Sequence, residues 1–302
     1  MRFALLIPCK NGAPYLPRLF ASIRTQTRPF DEIWLFDDGS TDDSADVAAS
    51  LGARVIRSVH SLGPSAARNR LSESTNCDWL HFHDADDTLA PEYLAQTAAA
   101  ITPQTDVVVC NMVWVEENTG KQDSRWMYET GEFERDAQSY LIVNTIGGIN
   151  GLYRRSALHA IGGFDENRKF WEDTDLNLRL ARNGARFVAV REDLVYAYRR
   201  TSSYSNSNLA EVWRSKLALI AGLLPDAPES LRRTIAIEAE RIAERMAVLK
   251  RWKDVPGALR IARQAGGDPP TTASPVLQLL KHLLPATWTF RLQHALRQRT
   301  QT

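Results

Sequence analysis

Long apolar runs, a cysteine framework and an excess of either charge are all missing from this 302-residue sequence. No apolar run approaches the roughly 18 residues that a membrane span needs. The net charge is +1, so the composition shows no excess of basic residues that would neutralise the phosphates of a nucleic acid. The three cysteines, Cys9, Cys77 and Cys110, have no metal-binding spacing. We therefore expect reduced core thiols in a soluble, cytoplasmic protein.

Short apolar runs and helix-like segments alternate through the first hundred residues. The runs are FALLIPC, EIWLFDD, RVIRSV and WLHFHD, separated by PYLPRLFASIRTQ, STDDSADVAASLG and PSAARNRLSESTN. The first run stops at Pro8, too soon for a signal peptide, and we interpret it as a strand. The alternation predicts a parallel, doubly wound sheet that binds ligands at the carboxyl ends of its strands. Asp37–Asp38 and Asp84–Asp86 follow such ends and should meet in one crevice.

The pattern changes twice along the rest of the chain. DVVVCNMVWVE and FVAVREDLVYAYRR predict strands on either side of a helix, DTDLNLRLARNG. Beyond about residue 208, only helical patterns are found. We therefore predict a catalytic domain over residues 1–205, with halves at about 1–104 and 105–205, and a helical extension over 206–302.

Asp84, Asp86 and Asp87 crowd one strand end in the segment HDADDT. At an effective dielectric of about 20 and spacings of about 5 Å, each pair of charges would cost roughly 3 kcal/mol. Three interpretations fit: a Mg²⁺ or Mn²⁺ site, the D-x-D-x-T nucleophile of a haloacid-dehalogenase-like phosphatase, or a solvated turn. We favour the cation site, because two strand–helix units precede a motif that usually opens the phosphatase fold.

His81 and His83 share one face of the strand before this cluster. An H-x-H-x-D-H zinc pattern would need Asp and His where the chain has Ala85 and Asp86. We therefore reject a zinc site.

Two further acidic segments allow both a structural and a functional interpretation. DDGSTDDS is either an ordinary βα turn or a site for a base, a ribose or a phosphate at a helix N-terminus. In FWEDTDLNLRLARNG, Asp173 could simply cap a helix. Alternatively, an aromatic pair before two acids suits an acceptor wall with a general base. Such a base would be kept ionised by the helix N-terminus.

The ordered segments LLIPCKNG, DDGSTDDS, LGPSAARN, HDADD and GGFDE, with WEDTDLNLRLARNG, resemble a family 2, inverting, GT-A-type glycosyltransferase. The resemblance covers roughly residues 3–200. It implies an α/β fold: a Rossmann-like mixed sheet flanked by helices. It also implies a nucleotide-diphosphate-sugar donor, most often a UDP-sugar, and a divalent metal, Mn²⁺ or Mg²⁺.

The resemblance also assigns roles to residues. By match, Asp38 would contact the base, Arg68 the base or ribose, Asp84 the ribose, and Asp86 the metal. Asp173 would be the general base. The remaining implied positions are Pro8, Asn11 and Ala85 for the nucleotide sugar, and Trp171 and Glu172 for the acceptor.

Departures from the family pattern narrow the range of activities that we expect. The Q-x-x-R-W signature of processive synthases is missing from the sequence, which favours transfer of a single sugar over polymerisation. YRRTSSYSNS lies where related enzymes carry a mobile lid. There, Arg199 or Arg200 could clamp the leaving diphosphate, or could simply lie on the surface.

Three questions stay open at the level of sequence. The acceptor could be a glycan, a lipid-linked molecule or a protein, and polysaccharide biosynthesis is one expected setting. The phosphatase and a catalytically inert nucleotide-binding protein are the rival functions. Finally, VLQLLKHLLPATWTFRLQHALRQR could lie on an anionic membrane surface, although we favour a helix pair that packs on the catalytic domain.

Overall fold

The computed structural model of the chain describes residues 1–200, 208–268 and 286–299. By its internal contacts the chain divides into two units, Met1–Ser203 and Tyr204–Thr302. Among the described residues, all strands belong to the first unit, and the second unit is helical.

A nine-stranded mixed sheet forms the centre of the first unit. Its strands are β1 (Phe3–Cys9), β2 (Glu32–Asp38), β3 (Arg54–Ser58), β4 (Trp79–Phe82), β5 (Thr88–Leu89), β6 (Val107–Glu116), β7 (Gln122–Trp126), β8 (Gly151–Arg154) and β9 (Phe187–Arg199). They lie in the order β3-β2-β1-β4-β8-β6-β9-β5, and β7 pairs with β6.

Helices flank this sheet and make up the second unit. Those of the first unit are α1 (Leu16–Arg24), α2 (Ser44–Ser50), α3 (Pro64–Glu73), α4 (Tyr93–Ala99), α5 (Thr130–Val143), α6 (Arg155–Ala160) and α7 (Glu172–Arg182). Those of the second unit are α8 (Leu209–Gly222), α9 (Glu229–Val248), α10 (Val255–Gln264) and α11 (Ala286–Arg299), with a 3₁₀ turn at Leu224–Asp226.

The first half of the sheet is parallel, as the sequence predicts. β1 pairs in parallel with β2 on one side and β4 on the other, and β2 pairs in parallel with β3. The chain thus winds outward through β2 and β3 and then returns across β1 to β4. The winding reverses between β1 and β4, and open sheets of this kind have their crevice at the carboxyl ends of the strands at such a point. β1 and β4 are buried almost throughout, which explains their nearly continuous apolar runs.

The second half of the sheet is mixed and brings two distant strand ends together. β8 pairs antiparallel with both β4 and β6. β6 and β9 run in parallel to their last residues, where Glu116 is the register partner of Arg199. Glu117 and Arg200, which directly follow these strands, therefore lie next to each other at the same edge of the sheet.

The second unit has its own apolar core. Along α9, a stripe at helical spacing is buried: Leu231, Ile235, Ala239, Ile242 and Met246. A Lys216–Glu238 ion pair of 2.6 Å is buried beside it. In α11, Phe290 is buried. Part of the segment considered for membrane contact, residues 276–285, lies outside the described residues.

The predicted fold class, a mixed sheet flanked by helices with a helical C-terminal part, is confirmed. The three cysteines are free and buried, as expected. Among the described residues, no helix combines the length and the apolar character that crossing a membrane requires.

Candidate active site

The loops after β1, β2 and β4 are joined at the crevice. Asn11, held at a positive φ of 54°, accepts a hydrogen bond from Thr41 N–H through Oδ1 at 2.8 Å. Gly12 N–H donates to Ser44 Oγ at 2.8 Å. A Cβ at Gly12 would lie only 3.2 Å from the Cβ of Ala85. The first loop therefore contacts both acidic strand ends, and the expected convergence is confirmed.

Asp38 is buried and holds the loop that leads into α3. Its Oδ1 accepts from Leu62 N–H at 2.5 Å, while Oδ2 accepts from Ser61 Oγ at 2.7 Å and Gly63 N–H at 3.0 Å. A carboxylate offers about four acceptor positions. Three are therefore used inside the protein, and its contact with a base stays a prediction.

Arg68, on α3, joins the two halves of the first unit. Only 4% of this residue is exposed. Its Nη2 is 3.0 Å from Asp84 Oδ1, and its Nη1 is 3.0 Å from Glu172 Oε1. Burial by itself lowers the pKa of Arg68, but the Asp84 and Glu172 carboxylates outweigh it and raise the pKa overall. Arg68 thus connects the loop after β4 to the start of α7 with a fixed positive charge.

Asn69, which the sequence analysis did not single out, clamps the GGFDE segment. Its Oδ1 accepts from Phe164 N–H at 2.8 Å, and its Nδ2 donates to the Phe164 carbonyl at 2.9 Å and to Glu166 Oε1 at 3.0 Å. Adjacent residues of α3 therefore fix both the charged centre and the loop that approaches α7. A signal for this contact was present in the sequence, because LGPSAARN, which contains Asn69, and GGFDE, which contains Phe164, both belong to the set of segments that carries the family resemblance.

Each of the crowded carboxylates has its own partner. Besides the Asp84–Arg68 pair, Asp86 Oδ2 lies 2.5 Å from Arg200 Nη2. Asp87 is buried and accepts from the Tyr198 backbone N–H at 2.8 Å. Burial, followed by the charge of Asp84, raises the pKa of Asp86. The protein's own arginines, rather than a cation alone, therefore offset much of the repulsion expected here.

Asp86 is the residue that fits a divalent cation. Its side chain is 38% exposed, and carboxylate oxygen is a donor that Mg²⁺ and Mn²⁺ accept. Among the described residues, no cluster of three or more His, Cys, Asp or Glu side chains has metal-binding geometry. The donor set therefore suits a sparse site that a substrate diphosphate and water would complete.

Asp173 lies in the first turn of α7, beside the Arg68–Glu172 pair. The N-cap of α7 is Trp171, in the left-handed conformation at φ 63°, so Asp173 does not cap the helix. Asp173 Oδ1 accepts from Thr174 N–H at 2.6 Å. Burial, followed by the charge of Glu172, raises the pKa of Asp173 to about 7. The protonation of this carboxylate therefore changes near neutral pH, whereas the sequence led us to expect that the helix N-terminus keeps it ionised there.

Arg199 and Arg200 have different surroundings. Arg199 bonds to Asp123 and lies 4.9 Å over the ring of Trp114. Arg200 instead reaches Asp86 and also Glu117, whose Oε2 is 2.5 Å from its Nε. Only Arg200 of the two contacts the candidate metal residue. Residues 201–207 of the expected lid lie outside the described residues.

His81 and His83 form a buried polar chain rather than a metal site. His81 Nδ1 is 2.9 Å from the Gly151 carbonyl oxygen, and His81 Nε2 is 3.2 Å from His83 Nδ1. Burial lowers the pKa of His83 to about 4. Burial also lowers the pKa of His81 well below its usual value, so both rings are neutral at pH 7.

Pro8, the remaining donor-side residue expected from the sequence, pairs with Phe36 across β1 and β2, one residue before the end of β1.

Glu117 is a site residue that sequence reasoning missed. The available signal was a pair of acids at the end of an apolar strand, VWVEEN, parallel to VYAYRR.

Comparison with known protein families gives a match over residues 4–162 to the model described as glycosyl transferase family 2. The chain is 30% identical over 167 residues to the putative glycosyltransferase EpsH of Bacillus subtilis, covering 52% of this chain and 48% of that protein. It is 27% identical to the succinoglycan biosynthesis protein ExoU of Rhizobium meliloti, over 76% of this chain and 73% of that one. It is 30% identical to a PGL/p-HBAD biosynthesis glycosyltransferase of Mycobacterium bovis, over 72% and 84%.

Solved structures with a similar fold include two complexes with nucleotide sugars. S. aureus TarS 1–349 with UDP-GlcNAc has a TM-score of 0.61 at 19% identity, covering 91% of this chain and 95% of that one. The mannosyltransferase PcManGT of Pyrobaculum calidifontis, with GDP-Man and Mn²⁺, has a TM-score of 0.58 at 18% identity, over 97% and 84%.

Proposed function

We propose that this chain, which belongs to glycosyl transferase family 2, moves one sugar from a nucleotide-diphosphate-sugar to an acceptor hydroxyl with inversion at the anomeric carbon. The observation that carries the proposal is the buried Arg68, which bonds to both Asp84 and Glu172. Asp84, which we expect to bind the donor, and Glu172, which precedes the candidate base Asp173, thus contact the same guanidinium. A UDP-sugar is the donor that we expect.

On the donor side, we assign the nucleotide to the crevice at the ends of β1, β2 and β4. The acceptor position left on Asp38 suits an N–H of a pyrimidine base. Asp84, held by Arg68, suits the ribose hydroxyls, and Pro8, Asn11 and Ala85 would line the same crevice. These assignments follow the motif match and the convergence of the three loops.

Asp86 would hold a divalent cation, with the donor diphosphate and water as the other ligands. When bound, the cation would supply positive charge against the departing nucleotide diphosphate. Arg200 lies beside Asp86 and would add a second positive charge to the same group. We therefore choose Arg200 over Arg199 as the residue that clamps the diphosphate.

Asp173 would be the general base. An acceptor hydroxyl attacks the anomeric carbon from the face opposite the leaving group, and its proton passes to Asp173. The bond from the anomeric carbon to the phosphate oxygen breaks, and its electron pair stays on the nucleotide diphosphate. One displacement turns an α-linked donor into a β-linked product. A base pKa of about 7 suits proton transfer at neutral pH.

The acceptor is proposed from the names of two relatives. One relative is named for succinoglycan biosynthesis and another is named as a PGL/p-HBAD biosynthesis glycosyltransferase. We propose a growing glycan or a lipid-linked molecule as the acceptor here. Trp171, at the start of α7, and Glu172 would face it next to the candidate base.

Thermal shifts with UDP, GDP, CDP and dTDP, each with and without Mn²⁺, test the proposal. We expect one nucleotide, UDP, to stabilise the protein in a Mn²⁺-dependent manner. At about 100 Kd of ligand the gain should be about 2.7 kcal/mol. Asp86→Ala should abolish the Mn²⁺-dependent part, whereas Asp46→Ala, which removes an exposed surface carboxylate paired with Arg57, should not. If no nucleotide shifts the wild type, the proposed donor class is wrong.

A further inference from the structure

Glu117 lies at the centre of a charged network at the edge of the candidate donor site. Its Oε2 atom is 2.5 Å from Arg200 Nε, and its Oε1 atom is 3.2 Å from Arg18 Nη2. Glu117 directly follows β6 and Arg200 directly follows β9, and these strands run in parallel to their ends. The sheet register therefore brings this acid and this base together.

Both arginines of the network also contact Asp86. Arg200 Nη2 is 2.5 Å from the Asp86 carboxylate, and Arg18 Nη2 donates to the Asp86 carbonyl oxygen at 2.6 Å. Each guanidinium also lies over an aromatic ring, Arg18 at 3.7 Å from the centre of Tyr198 and Arg200 at 3.9 Å from that of Tyr15. Arg200 is thus gripped by two carboxylates and one ring.

Arg200 uses different nitrogen atoms for its two carboxylates. Nη2 donates a hydrogen bond to Asp86, whereas Nε is the nitrogen of the ion pair with Glu117. The guanidinium can therefore give up Asp86 while its ion pair with Glu117 and its contact with Tyr15 persist. Such a change would accompany a cation that takes Asp86 Oδ2, the oxygen that Arg200 contacts here.

We propose that Glu117 is a positioning residue that holds Arg200 in the donor site, both while Arg200 contacts Asp86 and after Asp86 takes another partner. The inference rests on the proposed function, because it assumes that a nucleotide diphosphate binds beside Asp86. A long cationic side chain that is already ordered loses less entropy when it binds an anion. Glu117 therefore strengthens diphosphate binding, although its own negative charge opposes it.

Because Glu117 and the nucleotide diphosphate are both negatively charged, a positioning role and a purely electrostatic role predict opposite effects on binding. If Glu117 acted only through its charge, Glu117→Gln would tighten binding of an anionic nucleotide. If it acts by holding Arg200, the same substitution weakens binding. The neighbouring Glu116 is a matched control, because it has the same charge and bonds to Thr119 instead of Arg200.

Limited trypsin digestion without metal or nucleotide tests the hold on Arg200 directly. Trypsin must draw the arginine side chain into its own specificity pocket to cleave the bond that follows it. We expect cleavage after Arg200 to be about three- to tenfold faster in Glu117→Gln than in the wild type, and unchanged in Glu116→Gln. Cleavage after Arg199, resolved by mass spectrometry, serves as the internal control for local unfolding.

Calorimetric titration with UDP and Mn²⁺ tests the consequence for binding. We expect Glu117→Gln to weaken UDP binding by about three- to tenfold, the factor for ordering one long side chain. Glu117→Asp should recover part of this loss. In an Arg200→Gln background, Glu117→Gln should have no weakening effect, because there is no guanidinium left to hold. Circular dichroism checks that each variant is folded.

Equal rates of cleavage after Arg200 in the wild type and Glu117→Gln would overturn the proposal. So would a loss of UDP affinity that persists in the Arg200→Gln background, since Glu117 would then act without Arg200. If the wild type binds another of the four nucleotides instead of UDP, that nucleotide replaces UDP in the titration. If it binds none of them, the proposed donor class is wrong, and the cleavage rates alone decide the role of Glu117.

Discussion

At the scale of single residues, the surroundings of Asp173 determine when it can accept a proton. Its pKa is raised from 3.8 to about 7, first by burial and then by the neighbouring charge of Glu172. The Arg68 guanidinium, bonded to Glu172 at 3.0 Å, limits the rise. The candidate base is thus an acid whose protonation changes near neutral pH.

The first prediction concerns the pH dependence of the reaction. Because the base must be ionised, kcat/KM should rise with pH through an apparent pKa near 7 and level off above pH 8. Asp173→Asn should lower activity by roughly 10²- to 10⁴-fold, because the amide cannot accept the proton. The measurement is initial rate against pH, with UDP binding by the variant as the control for an intact donor site.

Stability gives an independent check on the same pKa. Between about pH 4 and pH 7 the folded state binds more protons than the unfolded state, so the free energy of unfolding falls as pH rises. Asp173→Asn should remove this dependence and gain on the order of 2 kcal/mol at pH 8, about half the full shift, since Asp173 is partly exposed. A pH-independent gap between the two proteins would contradict the raised pKa.

Arg68 carries the second prediction. Arg68→Met would leave the Asp84 and Glu172 carboxylates facing each other without their shared cation. Unfolding in urea should show a loss of roughly 1–3 kcal/mol, less than for a fully buried pair, because the Glu172 and Asp84 side chains are 18% and 42% exposed and water partly compensates the charges left behind. Arg70→Met, on the same helix but in an exposed pair with Glu73, should change stability by less than about 0.5 kcal/mol. Similar losses in both variants would contradict the central role of Arg68.

At the scale of elements, α3 positions the candidate site through two adjacent side chains. Arg68 contacts the carboxylates, and Asn69 holds the loop around Phe164 that leads towards α7. The loop comes close to the clamp at Gly163, where an added Cβ would lie 2.5 Å from Asn69 Oδ1. Gly162, beside it, has a similar positive φ but open space around it. Alanine substitutions at these two glycines therefore distinguish the cost of backbone strain from the cost of a collision with Asn69.

The third prediction uses this pair. Gly162→Ala should cost about 1 kcal/mol of stability from its left-handed backbone alone. Gly163→Ala should cost a further 1–3 kcal/mol or so, because its Cβ collides with Asn69. Thermal or urea unfolding measures both. In an Asn69→Ala background the difference between the two alanine variants should nearly vanish. An unchanged difference there would mean that another group, and not Asn69, confines Gly163.

Elements with a strong local pattern could be predicted from the sequence. FALLIPC and EIWLFDD correspond to β1 and β2 residue for residue, because buried parallel strands are continuous apolar runs. β8, with four residues, and β5, with two, give no periodic signal. Their position depends on pairing with distant strands. The contacts of Asn69 and Glu117 were missed for the same reason, since each joins segments far apart in the chain.

At the scale of the whole molecule, the order of weak motifs was more informative than any motif alone. HDADD fits a phosphatase as well as a cation site when it is considered by itself. The family match over residues 4–162 decides in favour of a glycosyltransferase. The arginine partners of Asp84 and Asp86 could not be predicted, because charge patterns do not specify which distant side chain neutralises which acid.

The second unit presents an apolar surface on its last described helix. Along α11, Trp288 is 60% exposed and Leu292 is 43% exposed, one helical turn apart, with exposed Arg291 beside them. Phe290 and Gln293, on another side of the helix, are buried within the unit. Packing therefore accounts for one side of α11, whereas a basic, aromatic side is left that suits the surface of an anionic membrane.

The fourth prediction follows from that surface and from the proposed lipid-linked acceptor. The protein should sediment with vesicles rich in an anionic phospholipid and not with neutral ones. The double substitution Trp288→Ala and Leu292→Ala should reduce that binding by at least about tenfold, because two apolar side chains no longer enter the interface. Ile237→Ala with Val248→Ala, which removes two exposed apolar side chains from α9, is the matched control and should bind normally. Equal binding by both double variants would exclude α11 as the contact. A wild type that ignores anionic vesicles would instead favour a water-soluble glycan as the acceptor.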